Sequence, residues 1–148
     1  MNTMNTMKIR CVTYTSEFSA GGCSLNDLLI GVNHGVVGCG SKNLNSSKLG
    51  DYVIINAEKN KVKYVVIGIL CEKLEYCDTW EREGGRIWPY NWTYKPITTI
   101  FMYDDLTKLE VKKIAEDNLL NPKILFNSRF CSVKLRPIIE MLINKFSL

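Results

Sequence analysis

Apolar and polar positions alternate over residues 8–15, with Ile9, Cys11 and Thr13 on one side and Arg10, Val12 and Tyr14 on the other. That period of two predicts a β-strand. Residues 16–22 are polar and glycine-bearing, hence a loop. A short helix is expected over residues 25–30: Ser24 suits the N-cap, and Asp27 sits in a first turn where the helix dipole favours a carboxylate. Gly31, Gly35, Gly38 and Gly40 then punctuate a turn-rich segment with Val36 and Val37 at its centre.

Leu49-Gly50-Asp51 turns the chain into a continuous β-branched run, residues 52–56, and a second such run covers residues 62–70. The polar Asn60-Lys61 connection makes the two a hairpin. Residues 72–85 are polar and predict a loop carrying Trp80. Residues 86–102 are aromatic and β-branched but broken by Pro89 and Pro96, so they predict two short strands or one kinked edge strand. Residues 105–118 hold Leu106, Leu109, Val111 and Ile114 at mixed helical spacing behind Asp104 or Asp105 as cap. Residues 133–146 place Leu135, Ile138, Ile139, Leu142 and Phe146 on one helical stripe, with Pro137 tolerated in the first turn. Strands in the middle and helices at the ends argue for an α+β fold, its antiparallel or mixed sheet curled into a small open barrel.

The chain's 148 residues suit one domain, and its 46% hydrophobic content suits a folded one. The polar tandem MNTMNTM is set aside as a disordered lead-in, leaving residues 8–148 as the single domain. No leader pattern and no membrane span is found, so an intracellular, cytoplasmic protein is expected. The six cysteines (Cys11, Cys23, Cys39, Cys71, Cys77 and Cys131) then read as reduced thiols packed as small hydrophobes. With no Cys-x-x-Cys pair and His34 as the only histidine, no metal site and no cofactor is expected. A net charge of +4 permits contact with phosphate without demanding it.

No catalytic set emerges. A hydrolase triad would have to recruit His34 from a glycine-rich stretch without a supporting motif, and Gly38-x-Gly40-Ser41-Lys42 lacks the spacing of a phosphate-binding P-loop. Adjacent Asp104 and Asp105 read as a cap, and Glu81 and Glu83 as a solvated loop. The aromatic residues are more informative. All three tryptophans (Trp80, Trp88 and Trp92) fall with Tyr90 and Tyr94 within fifteen residues. Tryptophans ordinarily serve a core. Along an extended strand, however, Trp88, Tyr90, Trp92 and Tyr94 share one face, and an exposed face of that kind is a platform on which bases stack. Trp rings also box methylated or cationic groups. Lys42, Arg82, Arg86 and Lys95 could line a phosphate path past them.

These segments resemble a known family. Lys48-Leu49-Gly50-Asp51-Tyr52-Val53-Ile54, followed by Val65-Val66-Ile67-Gly68-Ile69, resembles the signature of EVE domains. Trp88-Pro89-Tyr90 and Tyr94-Lys95-Pro96-Ile97 resemble the strand that follows it there. The spacing of the three tryptophans, and Asn127-Ser128-Arg129 before an amphipathic last helix, is similar to YTH domains. The resemblance runs from about Lys8 to Leu148.

It implies the PUA-like fold, a small mixed β-barrel flanked by helices, and a non-enzymatic nucleic-acid-binding module for RNA or DNA that holds a modified or flipped base in an aromatic pocket. YTH domains bind N6-methyladenine in RNA, and EVE domains are associated with modified bases. Carried over, Tyr14, Thr15, Ser16 and Glu17 supply polar contacts to the base, Val37, Gly38 and Cys39 form one wall, Trp80 or Trp88 another with Trp92 beside them, and Arg129 faces phosphate. Two positions depart from the pattern: Val37 stands where both families usually place a tryptophan, and Phe130 where YTH domains have an aspartate. Two alternatives stay open: a PUA-like regulatory protein taking a small molecule or a protein partner, and a nucleotide-processing enzyme, although the related ASCH pattern Gly-x-Lys-x-x-Glu-x-Arg is not found.

Overall fold

The computed structural model describes residues 8–14, 24–40, 42–126 and 133–148. Among the described residues, six strands build one mixed sheet: β1 (Ile9–Tyr14), β2 (Val36–Cys39), β3 (Tyr52–Lys59), β4 (Val62–Leu74), β5 (Tyr90–Pro96) and β6 (Phe101–Met102). The order is β1-β3-β4-β5-β2, with β6 also pairing β4. β1 runs parallel to β3, in the register Ile9 to Tyr52 through Tyr14 to Ala57, and the other pairs are antiparallel. The β3–β4 hairpin turns on Asn60 and Lys61, both left-handed, with φ of 53° and 65°. Those are the torsions that let a two-residue turn match the strands' twist. The Asp51 carboxylate ties down the other end, accepting from the Lys8 N–H at 3.1 Å and the Lys48 N–H at 2.9 Å. Gly50-Asp51 is therefore a structural latch between β1 and β3.

The sheet curls into a half-barrel. A bulge between Leu70 and Glu72 bends β4, and the two edge strands approach each other: the Tyr14 hydroxyl on β1 donates to Gly38 O on β2 at 2.9 Å, and Gly38 N–H donates back at 3.0 Å. Both faces are covered. Within the curl, Val12, Val53, Ile55, Val66 and Leu70 pack with Leu28 and Ile30 of α1 (Ser24–His34) and with Trp80 of α2 (Thr79–Arg82). On the outer face, Ile54, Val65, Ile67 and Phe101 meet α3 (Asp105–Asp117) and α4 (Arg136–Phe146), where Ile138, Ile139 and Leu142 are fully buried. Phe101 stacks on Phe146 at 4.0 Å between centroids. No helix among the described residues is long and apolar enough to cross a membrane.

The α+β class, the hairpin, the Asp104 cap and the stripe of α4 stand as expected from sequence. Several bounds do not. The helix expected over residues 25–30 runs on to His34, and the turn-rich segment after it contains β2. Gly31 stays in the helix because a Cβ there would lie 2.5 Å from Val36 O, so its absence lets α1 sit against β2. β4 extends to Leu74, and the loop expected to carry Trp80 is a helical turn, α2. Of the two alternatives for residues 86–102, two short strands stand, β5 and β6, and the edge strand does not: β5 is interior, between β4 and β2, and tolerates Pro96 only at its last position. On α3, Leu106 and Leu109 are exposed, while Thr107, Val111 and Ala115 face inward. Cys71 is exposed at the bulge, against the expectation of packed thiols; Cys11 is buried, which pushes its thiol up to about 11. Cys23 and Cys131 lie outside the described residues.

Candidate functional site

The residues singled out for a base pocket converge where the two edges of the sheet meet. Tyr14 comes from the end of β1, Val37, Gly38 and Cys39 from β2, Trp80 from α2, Trp88 from the segment before β5 and Trp92 from β5 itself. The Tyr14 ring lies 5.1 Å from Trp88 and 6.3 Å from Trp80, centroid to centroid. Burial pushes the Tyr14 phenol well above its ordinary value, so it keeps its proton and serves as donor and acceptor at once. Gly38 lies directly against Trp88: a Cβ would be 2.5 Å from the Trp88 Cβ. Glycine at this site of the wall is what admits the indole.

Asn91 organises the tryptophans. Its side-chain oxygen accepts from Trp80 Nε1 at 2.7 Å and its amide donates to Trp88 O at 2.7 Å. Trp92 Nε1 donates to Leu44 O at 3.1 Å, fastening the 3₁₀ turn Lys42–Ser46 over β5. Trp88 differs from the other two. Its Nε1 is enclosed without a hydrogen-bond partner among the described residues, and the Arg86 guanidinium lies 4.9 Å from its ring. The Arg86 backbone N–H donates to Asp27 at 3.2 Å. Asp27, expected as a helix-dipole residue, is almost wholly buried beside this site.

The shared face of the strand is the inner one. Trp80 is 0%, Trp88 7% and Trp92 5% exposed, and Tyr94 is buried with them, so an open stacking platform along β5 is replaced by an aromatic core. Tyr90 is half-buried. Val37, where a tryptophan would align, is fully enclosed and pairs with Trp92 across the sheet. Arg82 is an exposed residue of α2 paired with Asp78 at 3.7 Å, and the cation over the Trp88 ring is Arg86. Lys42 opens the 3₁₀ turn. Thr15, Ser16, Glu17 and Arg129 lie outside the described residues. His34 is on the surface, 3.2 Å from Glu83.

Asn91, and the place of Asp27 beside the aromatic site, escaped the sequence reading. For Asn91 the signal was its place beside Trp92 and three residues after Trp88, an amide within reach of two indoles; Asp27 had none beyond its helix position. Compared with known proteins, the chain matches no family model, no curated protein and no solved structure.

Proposed function

We propose that this chain is a nucleic-acid-binding module that receives a base, modified or flipped from its stack, at the Trp88 edge of the aromatic cluster. The observation that carries the reading is Trp88. A buried indole N–H ordinarily finds an acceptor, yet this one has none among the described residues. A base edge offers acceptors of that kind, and an indole offers every base a π-face. Arg86 on the same ring puts a cation where a strand's phosphate would pass. The resemblance to EVE and YTH domains supports the same use of Tyr14, Gly38 and Trp88, and adds Thr15, Ser16 and Glu17 as polar contacts to the base and Arg129 as a contact to phosphate.

Tryptophan fluorescence titrated with modified and unmodified nucleosides and short oligonucleotides tests it. Trp88 is part of the core, so Arg86→Gln, at a half-buried position, is the cleaner variant. It should weaken the best ligand by about 1 kcal/mol and flatten the salt dependence, with little change in thermal unfolding. Affinity untouched by Arg86→Gln and indifferent to salt for every oligonucleotide would sink the reading.

A further inference from the structure

On the outer face of the sheet, away from Trp88, lies a cleft of about 380 Å³. Its walls are Tyr103, Phe126 and four lysines: Lys63 at the start of β4, Lys108 and Lys112 on α3, and Lys123 in the 3₁₀ turn Pro122–Phe126. Among the described residues, no Asp or Glu lines it. Lys108 has Asp105 at 3.8 Å on the exposed helix surface, and among the described residues Lys63, Lys112 and Lys123 have no ion pair. Lys108 and Lys112 are one helical turn apart, a spacing at which like charges destabilise a helix. Cations gathered in a concave, partly apolar site focus a positive potential that an anion relieves.

The floor is built as firmly as the rim is charged. Tyr103 and Phe126 meet edge to face with centroids 4.9 Å apart, both packed on the outer core. The Tyr103 N–H donates to Lys63 O at 2.8 Å, and the Lys63 ammonium lies 4.1 Å from the Phe126 centroid. Burial pushes the Tyr103 phenol up to about 12, so it presents a neutral O–H. The volume falls within the roughly 300–1,000 Å³ of small-ligand sites. A simple inorganic anion would use the lysines and leave the rings idle; a flat apolar body carrying phosphate would use both. We propose that this cleft binds a nucleotide, its phosphate held by Lys108, Lys112 and Lys123 and its base against the Tyr103–Phe126 floor. A free nucleotide and a nucleotide unit of a strand share that chemistry, and the site does not depend on the use proposed for Trp88.

Titration of the isotope-labelled protein with AMP, ADP, inorganic phosphate and a short oligothymidylate, followed by amide shifts, tests this. AMP and ADP should perturb α3 and residues 122–126, and bind more tightly than inorganic phosphate. The double variant Lys112→Ala/Lys123→Ala, at two exposed positions, should weaken AMP at least about tenfold, the loss of roughly one charge-assisted hydrogen bond. For the oligonucleotide it should lower the log–log salt slope by about 1.4, since each phosphate contact on a single strand contributes about 0.7. Lysine-dependent binding that is tighter for the oligonucleotide assigns the site to a strand, and equal binding assigns it to free nucleotide. AMP binding no better than inorganic phosphate, or unaffected by the double substitution, overturns the proposal. An indole shift of Trp88 without any lysine dependence does so too, while leaving the Trp88 reading intact.

Discussion

Tyr14 closes the half-barrel with a single hydroxyl that both donates to and accepts from Gly38, 24 residues away. Tyr14→Phe should cost about 1–3 kcal/mol, because it strands a buried N–H and C=O that the ring alone cannot satisfy. Urea unfolding should show a lower midpoint at an unchanged slope; a midpoint equal to that of the parent protein would mean the edges do not rely on the hydroxyl. The resemblance drew Tyr14, Gly38 and Trp88 to one place, yet no local pattern encodes a side-chain bond across that separation. Strand parity likewise put Trp88, Tyr90, Trp92 and Tyr94 on one face; Trp88, Trp92 and Tyr94 share the inner core, while Tyr90 is only half-buried. Which face it was could not be read, because both faces of the sheet are covered and alternation then no longer separates inside from outside.

Among the elements, the strands were legible where β-branched runs are long, as in β3 and β4, and the helix bounds were not. Gly31 reads locally as a break, but the close approach of α1 to Val36 offsets its cost of about 1 kcal/mol in a helix. α3 misled in the opposite way: Leu106 and Leu109 look like core residues, yet the outer core takes Val111 and Ala115, and the leucines stay outside. The α3 cap was legible because its signal is local. Asp104 accepts from the Thr107 N–H at 2.8 Å, and its contacts with the Thr107 side chain and N–H hold its carboxyl below the ordinary value. A depressed carboxyl contributes stability that is present above its unfolded pKa and lost as pH falls through its folded one. Asp104→Asn keeps a capping oxygen that does not titrate. The melting temperatures of the parent and this variant should therefore differ by a constant amount near neutrality and converge below about pH 4. A gap that persists into acid would show that the charge at this cap contributes nothing.

Taken whole, the molecule is one curled mixed sheet with an aromatic, Asn91-tied core inside it and a helical core outside. The fold class was readable from the order of runs and punctuation. The lysine cleft was not, because Lys63, Lys108, Lys112 and Lys123 come from three separate elements and no spacing joins them. The inner core gives the proposed function a direct spectroscopic handle. Each of the three indole N–H groups has its own environment: Trp80 on Asn91, Trp92 on Leu44 O, and Trp88 on no partner among the described residues. Indole N–H resonances of the isotope-labelled protein, followed during titration with a short oligonucleotide carrying N6-methyladenine and with its unmodified counterpart, report on each ring separately. The Trp88 resonance should move as it gains an acceptor, while those of Trp80 and Trp92 stay near their free positions. A Trp88 resonance that stays fixed at saturating concentrations of both oligonucleotides would contradict a base site at Trp88.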